Sequence, residues 1–329
     1  MLRRRRRGKK AGEAFQRPPA TGLSKYPPPL LPKLAPDQEV SFFLPKSNEK
    51  DILACTLTRW VRKDPQTAEE EEEEDSSAVF TRVKRGRFAV DSSKPVVIVC
   101  HGTHSWRNQM LLAFLASGMS EGLGCHALRF DFLGNGHSTG EWRYGNYDGE
   151  ADDLQQVVRF VREEMKSRVL CVVGHSKACQ SVVQLAIQEE QEKDDKDRIP
   201  FFVLLAGRFA VPNQLTLSDL LAADQMAQLE ESDKTRMVSP MGAEFEATRE
   251  DVEERIKLDT TICSQAKKGR FFVLHGSNDE TVPTGDAYKF EETLTNCRMS
   301  IIEGADHNFS GLKHIRNMTS QITEFCSNP

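Results

Sequence analysis

The chain has 329 residues, 44 Lys and Arg against 49 Asp and Glu, and a formal net charge of −5. That length allows one large α/β domain with an inserted segment and loose ends, or two small domains. Charged residues make up 28% and hydrophobic ones 38%, ordinary for a soluble protein with some disordered content. No apolar run approaches the ~20 residues of a membrane helix, and a hydrophobic signal-peptide core is missing. The eight cysteines (Cys55, Cys100, Cys125, Cys171, Cys179, Cys263, Cys297 and Cys326) are scattered without a CxxC pair. They read as reduced thiols in a reducing compartment rather than a disulfide framework.

Residues 1–36 carry arginine at positions 3–7 and then a proline-rich stretch. Too little apolar surface is present to offset the entropy of ordering, so a disordered tail is expected. Its basic run is open to a polyanion or an import receptor, which leaves nuclear or mitochondrial placement beside the cytoplasmic one. The remainder, 37–329, is expected to form one domain. Segments 40–44 and 52–61 predict an antiparallel pair, with 79–83 and 87–90 extending that hairpin. Between them, 63–78 holds an unbroken acidic run, 69–75, that repels itself into a solvated loop.

From Pro95 onward, apolar strands alternate with helical patterns. Strands are predicted at 96–100, 125–131, 169–173, 201–205, 271–274 and 298–302. Helices are predicted near 107–120, 149–166, 177–190, 284–295 and 311–326. Such alternation implies a mostly parallel sheet flanked by helices. Residues 208–265 break the rhythm. They look helical, amount to two or three short helices, and are placed to cap a site at the strand ends.

The strand ends hold the chemistry. Gly174-His175-Ser176-Lys177-Ala178 follows an apolar strand and opens a helix. A serine on such a turn presents its hydroxyl at the C-terminal edge of the sheet. Ala178 stands where glycine is usual, and its methyl is a candidate for pushing the helix off the strand. Asp279 follows strand 271–274, and His307 follows strand 298–302. The order Ser…Asp…His after successive strands is that of the α/β-hydrolases. Ser176 is then the expected nucleophile, His307 its base, and Asp279 the group that orients and stabilises the imidazole. The backbone N–H groups of Thr103, in His101-Gly102-Thr103, and of Lys177 are the expected oxyanion donors. The Lys177 side chain is expected in solvent or paired with an acid. His101 and His175 are expected to pack or orient loops, Asp131 to stabilise a turn, Asp306 to lie off the imidazole, and Cys179 to pack. No metal-ligand spacing, phosphate loop or dinucleotide fingerprint occurs, so no cofactor and no metal are expected.

Four further stretches carry a resemblance: His101-Gly102-Thr103-His104; 130–138, containing Gly134-Asn135-Gly136-His137-Ser138; 144–154, containing Tyr144-Gly145-Asn146-Tyr147 and Glu150; and Gly304-Ala305-Asp306-His307-Asn308. Over 95–327 the chain resembles the serine-hydrolase branch of the α/β-hydrolase superfamily. It is most similar there to the small esterase-like proteins called serine aminopeptidase S33-like, with relatives among cinnamoyl and feruloyl esterases. That group continues Gly-Gly where this chain has Ala178-Cys179. The resemblance implies a serine hydrolase acting on a small acyl ester. A peptidase, thioesterase or acyltransferase on the same triad remains open, as does a catalytically silent binding protein. A peptidase would need acids for a substrate amino terminus, and Glu230, Glu231, Glu244 and Glu246 are available in the cap.

Overall fold

A computed structural model describes residues 39–48, 50–60, 81–82, 90–191, 197–238 and 244–328. The expected tail, 1–36, and the acidic loop, 63–78, lie outside the described residues.

The described residues build a sheet in the order β11-β10-β7-β6-β4-β5-β2-β1-β3. β4 (Val96–Cys100), β5 (His126–Asp131), β6 (Val169–His175), β7 (Phe201–Leu205), β10 (Arg270–Gly276) and β11 (Cys297–Ile302) run parallel. β1 (Glu39–Pro45) and β2 (Ile52–Thr58) form the expected antiparallel pair, with β2 antiparallel to β5. The expected hairpin extension is corrected: β3 (Thr81–Arg82) pairs with β1 in parallel. A parallel partner needs a crossover rather than a tight turn, and residues 87–89 lie outside the described ones.

β4 shows why this sheet is covered on both faces. All five of its residues are apolar and buried, the composition of a strand packed from two sides. Val97 and Val99 join Leu112 and Leu115 of α1 (Met110–Leu123) and Met318 and Ile322 of α8 (Leu312–Ser327). Val96, Ile98 and Cys100 face Leu154 and Val157 of α2 (Tyr147–Glu163), Val182 of α3 (Ala178–Glu189) and, farther along, Phe290 of α7 (Gly285–Thr293). α1 starts at Met110, a few residues later than expected, and the Arg107 backbone N–H just before it donates to Asp131 Oδ1, 2.6 Å away.

The 208–265 insertion is less helical than expected. It contains α4 (Leu217–Leu220), α5 (Ala223–Ser232), α6 (Arg249–Lys257) and a 3₁₀ turn at Thr261–Gln265. It also contains an antiparallel hairpin, β8 (Lys234–Val238) against β9 (Glu244–Thr248). Thr235 and Ala247 point inward while Lys234, Arg236, Glu244 and Glu246 are exposed. That is period-two alternation, disguised by charged residues that read as helical. All eight cysteines are free thiols. Among the described residues, no helix is long and apolar enough to cross a membrane.

Candidate active site

Three strands of the parallel sheet, β6, β10 and β11, with β7 between β6 and β10, are each followed by one of three polar side chains. β6 ends at His175, and Ser176 follows with φ +56°, in the left-handed region. Few non-glycine residues adopt that conformation, and it costs about 1 kcal/mol or more unless the surroundings fix it. Here the Ser176 N–H donates to the Leu205 carbonyl at 2.8 Å. Gly174 is required by close approach: a β-carbon there would stand 2.8 Å from both the Ala178 carbonyl and Val182 Cγ2. Ala178 itself is fully buried in the core cluster. Cys179 is packing too. Its Sγ lies 3.2 Å from the Gly174 carbonyl, and burial pushes its thiol up to about 12.

His307, in the loop after β11, joins the other two. Its Nδ1 is 2.8 Å from Asp279 Oδ2, and its Nε2 is 2.9 Å from Ser176 Oγ. A carboxylate accepts only, so Nδ1 carries the proton and Nε2 is left to accept from the serine hydroxyl. Asp279 follows β10. Its Oδ1 accepts from the N–H groups of Thr281 and Val282, both at 2.8 Å. Burial works against its charge, yet hydrogen bonds from His275, His307 and the Val282 N–H outweigh that and hold the carboxyl well below the usual carboxylate range. His275 was not foreseen. Fully buried, it places Nε2 3.0 Å from Asp279 Oδ2 and 3.0 Å from the Val282 carbonyl. The signal available was a histidine four residues before the aspartate at the strand end.

The His101-Gly102-Thr103 loop lies directly against the serine. A β-carbon on Gly102 would stand 2.8 Å from Ser176 Cβ, so the residue before Thr103 packs against the serine. The expected supporting roles match the geometry. His101 donates from Nδ1 to the Gly102 carbonyl at 2.8 Å and accepts at Nε2 from the Phe132 N–H at 3.1 Å. His175 donates from Nε2 to the His307 carbonyl at 2.9 Å. Burial lowers both histidines, His175 to about 3 with help from the nearby His307 charge. They therefore hold the loops as neutral rings. Asp131 accepts from the turn N–H of His137 at 2.9 Å and also pairs with buried Arg107. Asp306 accepts from the Ser310 N–H at 2.7 Å, away from the imidazole. The Lys177 side chain meets Glu150 Oε1 at 2.8 Å.

An aromatic cluster borders the Thr103 side. His104, at φ +50°, stacks on Trp142 with centroids 3.8 Å apart and meets Phe245 of β9 at 4.7 Å. Tyr144 meets Phe245 at 5.3 Å. Burial, and then the Lys177 charge, lower His104 to about 4. The insertion thus touches the residue next to Thr103. The four acids considered for an amine substrate, Glu230, Glu231, Glu244 and Glu246, are all exposed, and Glu246 pairs with Lys234 at 2.6 Å. Among the described residues, no three His, Cys, Asp or Glu side chains gather to hold a metal ion.

A family model described as the alpha/beta hydrolase fold matches residues 95–234. Solved structures of similar shape span nearly the whole molecule. A protein from Agrobacterium vitis S4 superposes with TM-score 0.63 at 19% identity, covering 88% of this chain and 98% of that one. Est1E from Butyrivibrio proteoclasticus, with ferulic acid bound, gives 0.59 at 16%, covering 86% and 96%. An esterase from Pyrococcus furiosus gives 0.56 at 15%, covering 92% and 98%. No curated protein matches the chain in sequence. With its parallel sheet, its left-handed serine turn after β6 and these likenesses, the chain is an α/β-hydrolase-fold protein.

Proposed function

We propose that the protein is a serine hydrolase that cleaves a carboxylic ester through an acyl-enzyme. The observation that carries the reading is the continuous array Ser176 Oγ, His307 Nε2, His307 Nδ1, Asp279 Oδ2, with 2.9 and 2.8 Å links. A free serine hydroxyl is weakly nucleophilic at neutral pH and needs a base within hydrogen-bond reach. His307 is that base. As Ser176 Oγ bonds to the ester carbonyl carbon, its proton passes to Nε2, and the ionised Asp279 stabilises the imidazolium. The carbonyl oxygen takes up negative charge and is held by the N–H groups of Thr103 and Lys177. When the tetrahedral adduct collapses, the carbon–oxygen bond to the alcohol breaks and Nε2 protonates the leaving oxygen. Water then attacks the acyl-serine with His307 again as base. Acid release restores Ser176.

An ester is favoured over an amide by two things. The similar folds include an esterase and a protein holding ferulic acid, a carboxylic acid of the kind ester cleavage releases. The cap acids that a peptidase reading called on are exposed instead. The test is turnover of short aryl esters by wild type and Ser176→Ala. The variant should keep its fold and lose at least about 10⁴-fold in kcat. Undiminished turnover in the variant would overturn the mechanism.

A further inference from the structure

The mechanism uses the backbone of Lys177 and leaves its side chain idle, yet that side chain is only 2% exposed. Its ammonium meets Glu150 Oε1 at 2.8 Å, the Gly145 carbonyl, and the Arg143 carbonyl at 3.5 Å, with the Tyr147 ring centroid 5.0 Å away. A buried ammonium is tolerated only when its donors are taken up. Two of the three acceptors here are backbone carbonyls of one loop, 142–146.

That loop is held from its other side by the insertion. Arg143 Nε donates to Asp251 Oδ1 of α6 at 3.0 Å, the Gly145 N–H donates to the same oxygen at 3.3 Å, and the Asn146 N–H donates to Glu254. Gly145 has no room for a side chain, because a β-carbon would stand 3.0 Å from Asp251 Cα. The same loop carries Trp142, which stacks on His104, the neighbour of Thr103. Both expected oxyanion donors are therefore tied to one loop, and the loop is tied to α6.

We propose that loop 142–146 couples the seating of the insertion to the alignment of the oxyanion hole, with the Lys177 side chain as a positioning residue. The inference rests on the reading of Thr103 and Lys177 as the oxyanion donors. Its physical ground is the turn itself. Ser176 sits at φ +56°, and a strained turn keeps its geometry only while its surroundings over-determine it. Lys177 is the next residue, so a tether on its side chain restrains the aim of its own N–H. Donors must stand about 2.7–3.1 Å from the developing oxyanion, so small misalignment is felt in the transition state before it is felt in substrate binding.

The experiment compares kcat and KM for 4-nitrophenyl acetate, with thermal unfolding, in wild type, Ser176→Ala, the pair Lys177→Met with Glu150→Gln, Arg143→Ala, and all three positions together. Changing Glu150 with Lys177 avoids stranding a buried carboxylate. We expect the Lys177/Glu150 pair to lose about 10–100-fold in kcat with KM within about twofold, the pattern of an interaction made only in the transition state. Arg143→Ala, changed at a partly exposed side chain, should lose several-fold in kcat. Adding it to the pair should cost nothing more, since both act through one loop. A side chain that merely stiffens α2 against α3 would lower the melting temperature and leave kcat alone, which would overturn the proposal. Losses that multiply would overturn it as well. Should the Lys177 pair not fold, unchanged kcat in Arg143→Ala overturns it. Wild-type turnover that depends on Ser176 alongside any of these results places the failure in the coupling. Wild type without turnover would sink the hydrolase reading and this inference together.

Discussion

The strand ends and the insertion meet at one site but are held by different physics. Ser176, Asp279 and His307 leave β6, β10 and β11, whose sheet is buried under helices on both faces by two extensive apolar clusters. The insertion has a small core of its own, with Leu221, Leu229, Ala247 and Val252 buried. It reaches the body through polar ties, Arg143 to Asp251 among them, and through ring contacts of Phe245 with His104 and Tyr144. Close packing allows little give, whereas a solvent-facing pair such as Arg143 with Glu250 contributes about 0–1 kcal/mol. The three proposed catalytic side chains are thus set by the rigid part. The insertion bears on them through the loop at 142–146 and through His104, beside further contacts with the body such as Thr260 with Gln180 of α3 and Phe209 and Cys263 in the main apolar cluster.

The contrast predicts that a change on the strand-end side costs far more than one on the insertion side. The largest effect is expected for Asp279→Asn, which keeps the shape but gives His307 Nδ1 an amide in place of a carboxylate. Kinetics should show kcat down about 10³–10⁴-fold, with a lower melting temperature because an amide cannot accept from both His275 and His307 as the carboxylate does. A loss under tenfold would mean that His275 and the loop suffice to hold His307. Gly102→Ala comes next. Its methyl would arrive 2.8 Å from Ser176 Cβ, shifting Thr103, and kcat should fall about 10²-fold, the cost of one lost oxyanion donor. An unaffected rate would remove the 101–103 loop from the site.

The smallest effect is on pH dependence. His104 is lowered from 6.5 to about 4 by burial and then by the Lys177 charge. The unfolded chain therefore takes up its proton first, and acidification from pH 6.5 to about 4 favours unfolding; below that window the loss is complete. Burial raises Glu150 and Asp153, which act in the opposite direction as pH falls. The test is consequently the difference in slope between wild type and His104→Asn, a residue that tolerates the left-handed backbone. The melting temperature of the variant should fall less steeply over that window. Equal slopes would show that His104 does not stay neutral in the fold.

Much of the rigid part was legible in the sequence because its signals are local. A strand such as 96–100 is apolar throughout, and the turns after 169–173, 271–274 and 298–302 carry Ser176, Asp279 and His307 within a few residues of the strand ends. The insertion was legible as an interruption with two or three short helices, which α4, α5 and α6 match, but its hairpin was not. β8 and β9 alternate inward and outward, but their outward residues Lys234, Arg236, Glu244 and Glu246 mimic a charged helix. The ties that dock it join residues over 100 apart, such as Arg143 with Asp251, and a charge carries no local mark of its partner. β3 was misjudged for the same reason, since its parallel pairing with β1 is set by a crossover. His275 was visible as a residue but not as a partner of Asp279, because only the curl of chain after β10 brings a side chain four positions away back onto the carboxylate.

The strand ends of this fold are proposed to activate Ser176. The most direct measurement is labelling of the purified, folded chain with a fluorophosphonate serine probe, beside Ser176→Ala. Rapid labelling of wild type that disappears in the variant is the predicted result. A wild type that stays unlabelled, or a Ser176→Ala variant that labels equally, would contradict it.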